Sequence, residues 1–70
     1  MPIEEILRSI RKELNISQEQ LARELNISYT TINRWENSRR TPSRLAKMRL
    51  LEFCVAHGIS KEIINTLECL

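Results

Sequence analysis

Glycine occurs once in this 70-residue chain and proline twice, which excludes a flexible low-complexity linker. No apolar run approaches the roughly 18 residues that a bilayer-crossing helix needs, so no membrane partner is expected. The opening residues MPIEEILRS carry acids where a secretory leader carries bases. A cytoplasmic protein is the expectation. The two cysteines, Cys54 and Cys69, are too few for a disulfide framework, and reduced, partly buried thiols are expected. With His57 they make three candidate ligands, whereas structural zinc takes four, usually in two tight pairs. No metal and no other cofactor is therefore expected. A chain this short buries only about 60% of its unfolded surface, so residues 1–70 read as one domain with a thin core.

The net charge of +2 is also small, but it is unevenly spread. Residues 34–49 hold six bases (Arg34, Arg39, Arg40, Arg44, Lys47, Arg49) against Glu36 alone, while residues 1–33 hold four bases and five acids. Such a block attracts phosphates, although alone it is equally a solvated basic face.

What is present is helical periodicity. Ile3, Ile6, Leu7, Ile10 and Leu14 mark one face of a helix over about residues 3–14, with Pro2 suited to a first helical position. The word ELNIS then appears at Glu13–Ser17 and again at Glu24–Ser28. In each copy Leu ends an apolar face, Asn closes the helix in the left-handed conformation, Ile anchors the corner and Ser caps the next helix. SQEQ adds a capping box from Ser17 to Gln20. The two corners enclose a short second helix (about 18–25) and introduce a third (about 29–37). Thr41 as N-cap and Pro42 as first residue start a fourth helix (about 42–57), closed by Gly58. Ser60 caps a fifth (about 61–69). The fourth helix has apolar residues almost all round and needs cover on more than one side; the fifth helix supplies part, and a second subunit is one source of the rest.

On a wheel of the third helix, Ser28, Thr31, Ile32 and Trp35 fall on one side. Thr30, Asn33, Arg34 and Asn37 fall opposite, with Tyr29 and Glu36 flanking. The polar side holds groups that suit base edges: arginine for guanine, asparagine for adenine, a threonine methyl for thymine. A polar helix face is usually just solvated, but here NSRR comes directly after it, placing bases where flanking phosphates would run.

The stretch ISQEQLARELNISYTTINRWENSRRTPS, Ile16 to Ser43, resembles the helix-turn-helix of the lambda-repressor/Cro family of DNA-binding proteins. Gln18 at the head of helix 2, small Ala22, a turn residue at Asn26, apolar Ile32 and WEN before a basic loop carry the likeness. It implies an all-α, compact five-helix domain with the helix-turn-helix at helices 2 and 3. Helix 3 would read bases through Tyr29, Thr30, Asn33 and Arg34, Tyr29 either reading a base or stacking on the sugar-phosphate edge. Gln18, Asn37, Arg39 and Arg40 would hold phosphates, and Arg11 would pair with Glu36. Where the family commonly has glycine this chain has Asn26 and Ser38; a left-handed residue near the latter would then fall on Asn37. Trp35 is expected to pack against helix 4, Arg44, Lys47 and Arg49 to be solvated, and His57 to sit at a helix end.

The expected function is sequence-specific double-stranded DNA binding by a transcriptional regulator, a repressor in the usual form, acting as a homodimer through helices 4 and 5. The alternative is a protein-interaction module, an antitoxin or adaptor that retains the fold. An enzyme is not expected: no nucleophile–base pair with an orienting third group is evident, and no glycine-rich phosphate loop. No small-molecule ligand is expected either.

Overall fold

The computed structural model describes residues 2–37 and 39–70. Five helices are present among them: α1 (Ile3–Leu14), α2 (Gln18–Leu25), α3 (Tyr29–Glu36), α4 (Arg44–Ala56) and α5 (Lys61–Glu68). No strand occurs among the described residues, so the fold is the five-helix, all-α architecture.

The repeated word marks two equivalent corners. Asn15 and Asn26 both sit at φ 56°, in the left-handed region. At the first corner the Ile16 N–H donates to the Arg11 carbonyl (3.0 Å) and the Asn15 N–H to Lys12 (3.3 Å). At the second, Ile27 donates to Ala22 (3.0 Å) and Asn26 to Arg23 (3.1 Å). These paired six-to-one and five-to-two bonds satisfy the last carbonyls of each helix. A third corner of the same build ends α4. Gly58 is at φ 68°, the Ile59 N–H donates to Cys54 (2.9 Å) and Gly58 to Val55 (3.3 Å). GIS is thus the same corner spelled with glycine instead of asparagine. In each, the isoleucine turns inward: Ile59 is buried, and Ile16 and Ile27 pack partly buried against the core.

α1 is the hub. Glu4 and Glu5 in its first turn and Arg11 and Lys12 in its last complement the helix dipole. Its apolar face (Ile3, Ile6, Leu7, Ile10) is buried against α3 on one side and α5 on the other. α2 adds Leu21, Ala22 and Leu25, α3 adds Ile32 and Trp35, α4 adds Leu50, Phe53 and Cys54, and α5 adds Ile63 and Leu67. Each fully buried Leu or Ile contributes about 1.5–3 kcal/mol. α3 packs on α2 and α1, α4 on α5 and α2.

Several local expectations are corrected. Pro2 is the extended N-cap of α1 rather than its first residue. α4 starts two residues late, because Ser43 and not Thr41 is the cap: the Ser43 Oγ accepts from the Ala46 N–H at 3.2 Å, and serine is the stronger cap of the two. Ser60 precedes α5 but makes no side-chain cap bond to it. Its N–H and Oγ both donate to the carboxylate of Glu13 (3.1 and 3.0 Å), a charged acceptor that outcompetes a backbone amide and places negative charge at the α5 N-terminus. Asn37 is not left-handed: it lies at φ −102°, ψ 12°. The departure at Ser38 lies outside the described residues. Lys47 and Arg49 are not simply solvated. Lys47 Nζ donates to the carbonyls of Glu68 (3.1 Å) and Leu70 (2.9 Å), closing α5, and Arg49 reaches the Leu25 carbonyl at 3.5 Å. His57 caps the end of α4, its ring 4.2 Å from that of Phe53.

Candidate nucleic-acid interface

α3 owes its position to residues on its inner side. Ile32 and Trp35 are buried, and the Ser28 Oγ accepts from the Thr31 N–H (3.1 Å) while pairing with the Thr31 hydroxyl (2.8 Å). That cap fixes where the helix starts and so which side chains turn outward. Ala22 is buried in α2, which packs on α3; a larger side chain there would disturb that close packing.

The outward side of α3 is exposed. Tyr29 is 47% exposed, Thr30, Arg34 and Asn37 are exposed, and Asn33 is half-buried. These five and Arg39 line one shallow concavity. Gln18, the first residue of α2, joins them through a hydrogen bond: Asn33 Nδ2 donates to Gln18 Oε1 at 3.2 Å. Asn37 Nδ2 in turn donates to Asn33 Oδ1 at 2.7 Å. Gln18, Asn33 and Asn37 thus form a row of amides from the head of α2 to the end of α3. The row orients Asn33, nitrogen toward Gln18 and oxygen toward Asn37. Arg40 does not line this concavity but adjoins it through Arg34, which borders both. It lies with Thr31, Arg34, Trp35, Thr41 and Ser43 beside the α3–α4 connection.

Behind the exposed face lies an ion pair. Glu36 is 1% exposed, and the guanidinium of Arg11 donates to both its carboxylate oxygens, Nε to Oε2 at 2.9 Å and Nη2 to Oε1 at 2.7 Å. Arg8 adds a second cation, Nε 3.8 Å from Oε1, and its Nη2 donates to the Glu36 carbonyl at 3.1 Å. A bidentate pair of this kind fixes orientation as well as distance, so the end of α3 is held to α1. Reasoning from the wheel placed Glu36 on a flank and gave Arg8 no role. The signal was there: Glu36 lies four residues after Ile32, on the same face, and Arg8 and Arg11 lie one turn apart.

The remaining bases of the central stretch are unspent. Among the described residues the salt bridges all converge on Glu36, so Arg34, Arg39, Arg40 and Arg44 form no ion pair with an acid among the described residues. The cysteines and His57 are not gathered. Cys54 is buried, Cys69 and His57 are exposed, and no three His, Cys, Asp or Glu side chains come together as a metal site among the described residues. Burial, helped by the charge of Glu13, pushes the Cys54 thiol from its ordinary 9.0 up to about 11. No helix among the described residues is long and apolar enough to cross a membrane.

A family model described as helix-turn-helix matches residues 7–54, the span from within α1 to most of α4. Neither the curated proteins nor the solved structures contain a significant match.

Proposed function

The chain belongs to the lambda-repressor/Cro-type helix-turn-helix family of DNA-binding regulators, and from that premise we propose that it binds duplex DNA sequence-specifically and represses transcription as a homodimer, inside the cytoplasm. In this reading α3 enters the major groove, which admits an α-helix. Tyr29, Thr30, Asn33 and Arg34 read base edges. Gln18, Asn37, Arg39 and Arg40 hold the phosphates on either side, Gln18 with the help of the α2 N-terminus, whose free amides favour an anion.

The observation that carries it is the oriented amide row beside exposed cations. An amide has two donors and two acceptor sites. Asn33 uses one of each on its neighbours and keeps one of each, which is what a bidentate contact with adenine N6 and N7 needs. Arg34 is exposed and has no ion-pair partner among the described residues, as a bidentate contact with guanine requires. Gln18 spends its oxygen on Asn33 and keeps its amide hydrogens for a phosphate. Dimer formation through α4 and α5 would place two such faces on a two-fold site, with half-sites one helical turn or a multiple apart.

The test is selection of bound sites from random duplexes. The expected result is a two-fold symmetric site; Arg34→Ala then relaxes the preference at one base pair per half-site, costing about 1–3 kcal/mol. Failure to enrich any duplex sequence would sink the proposal and favour a protein-interaction module that keeps the fold.

A further inference from the structure

Asn33 is tied at both ends of its amide. Its nitrogen donates to Gln18 Oε1 at 3.2 Å and its oxygen accepts from Asn37 Nδ2 at 2.7 Å, and the residue is half-buried. Turning this amide over by itself would set oxygen against the Gln18 oxygen and nitrogen against the Asn37 nitrogen, so both attractions would become repulsions. On DNA the row also has a direction. A phosphate only accepts, so a Gln18 that holds one points its nitrogen at the phosphate and its oxygen at Asn33. Asn33 therefore meets a base with one hydrogen and one lone pair, in an order it cannot reverse.

That rigidity matters for one chemical change in DNA. In a paired adenine one N6 hydrogen is spent on thymine, and the other faces N7 and the major groove. A methyl group on N6 that leaves the base pair intact takes the place of this second hydrogen. It removes the donor that Asn33 Oδ1 would use, puts carbon where that hydrogen was, and leaves the oxygen unsatisfied in a closed groove. A free side chain would rotate away from the methyl. Asn33 would first have to break with Gln18 or Asn37. Arg34 has no such sensitivity, because its guanine partners, O6 and N7, are bare acceptors.

We infer that this chain distinguishes unmodified from N6-methylated adenine in duplex DNA. Asn33 is the sensor, Gln18 and Asn37 pin it, and a methyl group on one adenine of each half-site releases the protein. The inference rests on the adenine contact proposed above, and its test separates the two.

The experiment is fluorescence anisotropy of the full chain on its selected duplex, with N6-methyladenine replacing adenine at one position of each half-site at a time. Affinity falls about tenfold or more at one position and by less than about twofold at the others. Asn33→Ala binds the methylated and unmethylated duplexes alike, with circular dichroism monitoring its fold. Gln18→Ala and Asn37→Ala each free one end of the amide and shrink the ratio of the two affinities. An equal drop at every adenine would trace to the altered duplex, and a drop that survives Asn33→Ala to another side chain; either overturns the inference. A ratio undiminished in both Gln18→Ala and Asn37→Ala overturns the pinning on which it depends. If selected duplexes bind and methylation matters at no adenine, the inference falls and the DNA reading stands; if no duplex is bound, both fall.

Discussion

Arg11 and Glu36, 25 positions apart, meet through two hydrogen bonds of 2.9 and 2.7 Å, and the carboxylate is closed off from solvent. This contact joins the framework helix α1 to the end of α3, whose other side is exposed. Arg11→Ala would leave a buried carboxylate with only Arg8, itself largely exposed. Such a loss costs about 3–5 kcal/mol, which for a domain of this size lowers the melting midpoint by roughly 12 °C or more. Arg8→Ala should cost no more than about 1 kcal/mol. Replacing both partners, Arg11→Met with Glu36→Leu, should recover much of the stability, because no charge is then stranded. Thermal melts of wild type and these variants decide it: equal losses for Arg8→Ala and Arg11→Ala would contradict this division.

The local grammar of the fold was legible; of the long-range polar contacts only Arg11–Glu36 was expected, and that through the family resemblance. Asn15 and Asn26 could be read as left-handed corners because the residue types that tolerate that conformation are few. The same rule misled at Asn37, where the residue type permits a conformation that the structure does not use. Caps were legible as types rather than as partners. Ser17 and Ser28, read as caps, each accept from an amide three residues on; at α4 the cap is Ser43 and not the expected Thr41, and Ser60 turns to Glu13, 47 positions away. A sequence gives no sign of such a competitor. Of the site, the outward face of α3 was visible from periodicity. The amide row from Gln18 through Asn33 to Asn37 was not, since it depends on how α2 lies against α3.

The corners make a second prediction. At Asn26 and Gly58 the backbone is left-handed, which costs an ordinary side chain about 1–2 kcal/mol. Asn26→Ala and Gly58→Ala should each lower stability by that amount in urea titrations. Nothing lies within 4 Å of a Cβ built at Gly58, so its cost is conformational and not steric. Asn26→Gly should be tolerated. An Asn26→Ala protein as stable as wild type would show that the corner is held by its bonds and not by its residue type.

Cys54 gives a pH dependence. Its thiol titrates near 11 in the folded chain against an ordinary 9.0, so between those values the folded state keeps a proton that the unfolded state releases. Stability is intact below pH 9 and falls as pH rises toward 11, by about 2 kcal/mol at pH 10.5. Cys54→Ala should remove this increment of the slope. Urea titrations of both proteins at pH 8 and pH 10.5 measure the difference. Parallel slopes for the two proteins would mean that the thiol titrates normally when folded.

Arg39 and Asn33 separate holding from reading. Both line the concavity on α3, but Arg39 is an exposed cation after the helix, while Asn33 is a neutral amide with its orientation set by two neighbours. Phosphate contacts release counterions and carry no sequence information. Arg39→Ala should therefore weaken specific and random duplexes alike and reduce the slope of log affinity against log salt by about one. Asn33→Ala should leave that slope alone and lower affinity for the preferred site only, by about 1–3 kcal/mol. With Gln18 in its proposed phosphate-holding role, Gln18→Ala should do some of both, because it also frees the Asn33 amide to turn. Fluorescence anisotropy across a salt series resolves the two effects. If Asn33→Ala changed the salt slope and Arg39→Ala changed the base preference, the roles would be exchanged, and α3 would sit in the groove rotated from the position its amide row implies.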